Sequence, residues 1–162
     1  MSLTKNQISV KVRFATIEEA PEIATVLREA FDEYEALYTA EAFAITTPTV
    51  HQIESRWAEG PVWVALQNDT IVGTVSAVPR DGRLYIRSMA IVPCARGSGV
   101  GTLLLQHVEQ FARSQGFKRM FLSTTPFLTR AIKLYDQCGF RRNGEGPAEL
   151  SGTPLFTMEK FL

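Results

Sequence analysis

The run Ile91-Val92-Pro93-Cys94-Ala95-Arg96-Gly97-Ser98-Gly99-Val100-Gly101-Thr102 sets three glycines and an arginine between a strand-like stretch and an apolar helical pattern. Such a junction favours anions. Glycines let backbone approach a ligand closely, the first N–H groups of a helix have no internal partner, and the helix dipole adds about half a positive charge there. Arg96 would supply a mobile cation beside them. A nucleotide-hydrolysing P-loop requires G-x-x-x-x-G-K-[ST], and no lysine follows these glycines. A dinucleotide fingerprint requires G-x-G-x-x-G at the start of a βαβ unit, whereas Gly97, Gly99 and Gly101 are evenly spaced and follow several antiparallel strands.

Other groups with chemical potential are few. Tyr135, read from its helical spacing alone, is a core-filling ring whose hydroxyl finds a local partner. Cys94 and Cys138 lack metal-ligand spacing and read as small core residues rather than nucleophiles, so no metal is expected. His51 and His107 fall in helical segments and read as surface or cap positions rather than catalytic bases.

The surrounding elements must position this loop. Ser9 to Phe14 alternates Val10, Val12 and Phe14 with polar residues, predicting a strand with one buried face. Thr16 and Glu19 form a T-x-x-E capping box before a helix carrying Ile23, Val26, Leu27, Ala30 and Phe31. The stretch 32–47 is irregular but rich in Tyr34, Leu37, Tyr38, Phe43 and Ile45, and should line something. Thr47-Pro48 predicts a helix start, with Val50, Ile53 and Trp57 on one face until Gly60. Val62 to Leu66, Thr70 to Val78 and Leu84 to Val92 read as a meander turned at Asn68-Asp69 and Asp81-Gly82. Leu104, Val108 and Phe111 predict a helix after Gly101, and Lys118 to Ser123 a strand, so the strand–helix–strand order predicts a parallel pair inside an otherwise antiparallel sheet. Thr125-Pro126 predicts a last helix ending at Gly139, before closing strands at Phe140 to Arg142 and Pro154 to Phe161 around a Gly/Pro-rich loop.

Arg96-x-x-Gly99-x-Gly101, preceded by Ile91-x-Pro93, resembles the R-x-x-G-x-G/A pyrophosphate signature of the GCN5-related N-acetyltransferase (GNAT) superfamily. Further along, Ala131-Ile132-Lys133-Leu134-Tyr135-Asp136-Gln137-Cys138-Gly139-Phe140 resembles the superfamily's A-I-x-L-Y-x-x-x-G-F segment. The order of elements fits the same plan over essentially the whole chain. The resemblance implies an α/β (α+β) fold: a mixed, mostly antiparallel central sheet with a splayed parallel strand pair, flanked by about four helices.

It also implies an acetyl-CoA-dependent N-acetyltransferase. The pantetheine arm would lie along Met89, Ala90 and Ile91, with Met89 and Ile91 offering backbone N–H and C=O groups, as in strand addition. Arg96, Gly97, Ser98, Gly99, Val100, Gly101 and Thr102 would hold the pyrophosphate. Tyr135 matches the tyrosine that in many members protonates the departing thiolate. Two departures stand out. Leu128 occupies a position where members often carry an Asn that bonds the pantetheine arm, a contact that Thr125 or Thr129 would have to replace. Tyr85 stands where several members place a Glu base, leaving ordered water, Tyr85, Glu33 or Glu35 to take the amine's proton.

The composition narrows the rest. The 162 residues, 45% of them hydrophobic, fit one domain with a single buried core. Lys+Arg and Asp+Glu stand at 17 each, so no general field favours nucleic acid or an anionic membrane. No apolar run suggests a leader or membrane span, and a cytoplasmic setting is expected. The acceptor is expected to be a small-molecule or peptide amine, its pocket built from 32–47 and the loops near 80–83 and 143–153. Pairing of sheet edges makes a homodimer possible. A non-catalytic acyl-CoA-binding regulatory module is the alternative from a different class, and a ligand-free scaffold would need the loop to be accidental.

Overall fold

The computed structural model describes residues 9–162. Strand β1 (Val10–Phe14) is followed by a 3-10 turn at Ile17–Glu19 and helix α1 (Ala20–Phe31). Glu19 accepts a hydrogen bond from the Thr16 N–H at 2.9 Å, as a capping box requires, and its carboxylate also takes both Nη groups of Arg13 at 2.8 Å. This fixes the angle at which β1 hands over to α1. Phe14 departs from the expected buried face: it is exposed, stacked on Trp63 at 5.3 Å between ring centroids.

The aromatic stretch at 32–47 is more ordered than its irregular pattern suggests. A 3-10 segment (Asp32–Leu37) leads to α2 (Ala40–Thr46), capped by the Thr39 hydroxyl accepting from the Ala42 N–H at 3.1 Å. Helix α3 (Val50–Ser55) begins at Thr49, two residues beyond the expected Thr47-Pro48 start, because Thr49 and Gln52 form the capping box. Among the described residues the α-helices thus number five, with α4 (Val100–Ser114) and α5 (Thr129–Gln137). Helix α5 starts later than Thr125-Pro126 predicts, since Thr125 ends the preceding strand in a tight turn, its C=O accepting from the Leu128 N–H at 3.2 Å.

Strands β2 (Val62–Gln67), β3 (Thr70–Arg80) and β4 (Arg83–Ile91) form the expected meander. At its turns Asn68, Asp69, Asp81 and Gly82 all adopt positive φ, the geometry of the two-residue loops that match strand twist. With β5 (Arg119–Thr124), β6 (Arg141–Asn143) and β9 (Phe156–Phe161) the sheet runs β1-β2-β3-β4-β5-β9-β6. Among the described residues only β4 and β5 pair in parallel. The Gly/Pro-rich loop holds a small hairpin, β7 (Glu149–Leu150) with β8 (Thr153–Pro154).

Alternation along β3 sorts the two faces. Gly73 packs against Val100 and Leu104 of α4, and Trp63, paired with Val75, meets Phe111 of α4. Ser76 and Val78 line the opposite side with Ile23 and Leu27 of α1 and Ile53 of α3. The sheet is therefore sandwiched, with Val64, Val75, Leu84, Leu104, Val108 and Met120 fully buried in the core.

Candidate active site

The parallel pair is short. Strands β4 and β5 are in register only at Leu84↔Met120 and Tyr85↔Phe121. Just beyond, β4 bulges: its register against β3 slips between Ser76↔Arg87 and Thr74↔Ala90, and Ser88 takes φ 53°. A bulge bends its strand and strengthens the local twist, so β4 and β5 part here. The Val92 N–H bonds the Val72 C=O at 2.9 Å, which by alternation turns Ala90 toward β3 and turns the backbone groups of Met89 and Ile91 away from it, toward the gap.

The gap is a cleft of about 950 Å³ that runs from the bulge to the N-terminus of α4. Gly99 is the N-cap of α4 in a left-handed conformation (φ 83°), which glycine adopts without Cβ strain. The first intrahelical bond runs from the Leu103 N–H to the Gly99 C=O, so the amides of Val100, Gly101 and Thr102 have no helical partner. Gly101 serves a different need. A Cβ there would lie 2.6 Å from Leu134 Cδ2 and 3.0 Å from Ile91 Cδ1, so a glycine lets α4 start against α5 and β4 without pushing the ends of these side chains aside.

Of the expected site residues, Met89, Ala90, Ile91, Arg96, Gly97, Gly99, Val100, Gly101, Thr102 and Tyr135 all line this cleft. Ser98 does not: its hydroxyl bonds the Ala95 C=O at 2.6 Å and accepts from Gln67 Nε2, bracing the loop from behind. Arg96 is not a mobile cation. Its guanidinium pairs with Glu33 and donates to the Ala30 C=O at 3.1 Å, tying the loop to the C-terminal end of α1. The loop's amides are thus its free positive groups.

Tyr135 is buried, and desolvation, followed by its neighbours Tyr38 and Tyr85, raises its pKa well above the ordinary tyrosine value. Its hydroxyl is therefore held in the neutral, proton-bearing form. Among the described residues no Asp, Glu or His lines the cleft. Neither Glu33, which pairs with Arg96, nor Glu35, 3.7 Å from Arg28, is among the residues that line it. His51 and His107 are also elsewhere. Both cysteines are free, and Cys94, expected in the core, is exposed because the short turn at Pro93–Ala95 buries Ala95 instead.

Thr125 lines the cleft and Thr129 does not. Thr125 Oγ1 is buried and makes no hydrogen bond of good geometry. The Tyr38 hydroxyl is close enough that Thr125, with Thr46, works against the larger effect of burial, which raises the Tyr38 pKa. A buried hydroxyl left unpaired beside an open backbone edge is a ready contact for a ligand amide. Leu128, the N-cap of α5, also faces the cleft and offers no such group. Sequence spacing gave no notice of Arg56, Arg80 and Arg87, which also line the cleft, as do Tyr34, Tyr38 and Tyr85. They come from separate elements, and only the fold unites them.

The acetyltransferase (GNAT) family profile matches residues 23–140. The chain belongs to the acetyltransferase (GNAT) family. It is by family an acetyl-CoA-dependent N-acyltransferase. It is 30% identical over 135 residues to the uncharacterized N-acetyltransferase YjgM of Escherichia coli, a match spanning 80% of each chain. It is 35% identical over 89 residues to human N-acetyltransferase 8B, covering 51% of this chain but 39% of that protein. Among solved structures, the PaiA N-acetyltransferase of Thermoplasma acidophilum in complex with coenzyme A superposes with a TM-score of 0.81 at 18% identity, over 95% of this chain and 99% of that one, a likeness of fold. No helix among the described residues is long and apolar enough to cross a membrane.

Proposed function

We propose that this chain transfers an acetyl group from acetyl-CoA to an amine by direct attack, with Tyr135 as the proton donor to the leaving sulfur. The observation that carries this reading is the open edge after Ser88, where Met89 and Ile91 face a cleft that ends at the free amides of α4. The cofactor's arm would add as a strand along Met89 and Ile91, with Thr125 Oγ1 in place of the missing asparagine. The amides from Gly97 to Thr102 would take the pyrophosphate, with Arg130 and Lys133 of α5, which also line the cleft, adding positive charge.

In the reaction the neutral amine forms a bond to the thioester carbon and the C–S bond breaks. The amine gives up one proton and the CoA sulfur gains one. An alkyl ammonium with a pKa near 10 must first be deprotonated. With no titrating carboxylate or imidazole in the cleft, that proton leaves to water. Tyr135, neutral and buried, offers its O–H to the thiolate. As the C–S bond breaks, that hydrogen bond strengthens with the charge developing on sulfur, the proton passes to sulfur, and water reprotonates the phenolate.

Calorimetric titration with acetyl-CoA tests the cofactor site. Binding to the wild type, abolished by Gly99→Glu in a variant that still unfolds cooperatively, is expected; no binding to the wild type overturns the reading. The absence of a general base keeps a second reading alive, a module that binds acyl-CoA without turnover. Amine-dependent release of CoA separates the two.

A further inference from the structure

The cleft's charge is unbalanced. Six cationic side chains line it, Arg56, Arg80, Arg87, Arg96, Arg130 and Lys133, and no carboxylate among the described residues does. Three of the six stand at the end away from α4, where the acceptor must enter if the cofactor occupies the α4 end. Arg80 sits over the Tyr85 ring at 4.4 Å and is solvated at the rim. Arg87 is largely covered and pairs with Glu59. Arg56, half-buried at the C-terminal end of α3, donates its Nε to the Gln52 C=O at 3.3 Å and has no carboxylate within ion-pair distance among the described residues. Burial, and then the like charge of Arg87, lower the pKa of Arg56, while Glu59 opposes them. Two neighbouring guanidinium groups thus share one carboxylate and keep one positive charge uncompensated in a partly desolvated wall.

Position gives this charge a use. Arg87 immediately precedes the bulge, two residues before Met89. Its side chain lies on the α1 face, as Ser76, its register partner, does. The cleft is also partly roofed: the Thr39 N–H bonds Thr153 Oγ1 at 2.9 Å and the Thr39 hydroxyl bonds the Ser151 C=O at 2.8 Å, clasping α2 to the β7–β8 hairpin, whose Leu150 lines the cleft. A partly roofed cleft suits a small molecule better than a peptide chain. One surplus positive charge matches a carboxylate better than a phosphate dianion.

We propose that Arg56 and Arg87 form a carboxylate subsite and that the acceptor is a small amino acid, held by its carboxylate while its amino group reaches toward the gap between β4 and β5. This rests on the acetyl-transfer reading above. Guanidinium and carboxylate meet as a bidentate, charge-assisted pair, and the rest of the acceptor would contact the rings of Tyr34, Tyr38 and Tyr85.

The test pairs each of the common amino acids with its own carboxamide and follows CoA release from acetyl-CoA. For the best pair the acid should exceed the amide in kcat/KM by about tenfold to a hundredfold, the worth of a charged hydrogen-bonded contact. Arg56→Gln should narrow that ratio toward one, chiefly through KM, with acetyl-CoA affinity unchanged by calorimetry, and Arg56→Lys should restore part of it. Amides used as well as acids, or a ratio that Arg56→Gln leaves intact, would overturn the subsite. If acetyl-CoA binds and only amines without a carboxylate are acetylated, the acceptor class is wrong while acetyl transfer stands. If acetyl-CoA does not bind, the underlying reading falls and this one with it.

Discussion

Replacing Thr125 by valine separates the two roles that its hydroxyl could have. Thr125 is 3% exposed and its Oγ1 has no partner in the ligand-free protein. Burying a hydroxyl unpaired costs about 1–3 kcal/mol, and valine keeps the branched shape without the polar atom. Thr125→Val should therefore stabilise the free protein by about 1 kcal/mol, which for a chain of this size raises Tm by about 2–4 °C. If the hydroxyl bonds the pantetheine arm, the same change removes a neutral hydrogen bond and weakens acetyl-CoA by about 1 kcal/mol, roughly fivefold in Kd. Stability and affinity should move in opposite directions. Thr157 supplies the control, because its Oγ1 is also buried and unpaired but lies outside the cleft. Thr157→Val should raise Tm and leave Kd unchanged. The assays are differential scanning calorimetry without ligand and isothermal titration with acetyl-CoA. A fall in Tm for Thr125→Val would show that the hydroxyl is already satisfied in the free protein, and an unchanged Kd would show that the cofactor does not use it.

The remaining expectations concern the acid, the proton path, the loop and the fold. Tyr135→Phe should lower kcat by about a hundredfold while acetyl-CoA affinity stays within about twofold, and equal turnover in the two proteins would refute the donor role. With no titrating base in the cleft, kcat/KM should keep climbing with pH toward the acceptor's own pKa, and a plateau setting in between about pH 6 and 8 would reveal a protein base. Gly101→Ala, whose Cβ would lie 2.6 Å from Leu134 Cδ2, trades overpacking of about 1–3 kcal/mol against about 1 kcal/mol of helix propensity, a net cost of about 0–2 kcal/mol, so Tm should stay or fall by up to about 8 °C; a rise would contradict the close-approach argument. Arg13 and the Thr16 N–H hold the Glu19 pKa at about 2, down from 4.5, so its stabilising contribution is complete above about pH 4.5 and fades as pH falls through 2. The stability gap between wild type and Glu19→Gln, read from urea midpoints, should close across that window, and a gap independent of pH would contradict the ion pair.

Much of this architecture was written locally. Turn residues that tolerate positive φ marked both hairpins, Thr16 with Glu19 marked the entry to α1, and the apolar period after Gly101 marked α4, because each of these signals acts within a turn or two of backbone. Where two local signals competed, the tertiary context chose: Thr49 rather than Thr47 caps α3, and Thr125 closes β5 instead of opening α5. The α2 helix was obscured because its apolar side faces a small satellite core around Tyr38 and Phe43 rather than the main sheet, which blurs the usual period.

The sequence by itself determined the glycine loop, the strand before it and the helix after it, along with the tyrosine on α5, since those features depend on conformations that neighbouring residues enforce. The folded chain decided the rest. It turned Arg96 onto Glu33 and Ala30, far away in sequence, and it left Thr125 Oγ1 unpaired at the cleft wall. It also brought Arg56 from the end of α3 against Arg87 on β4. Charges and orphaned polar atoms act through space, and their partners are set by which faces pack together, a relation that no spacing along the chain encodes.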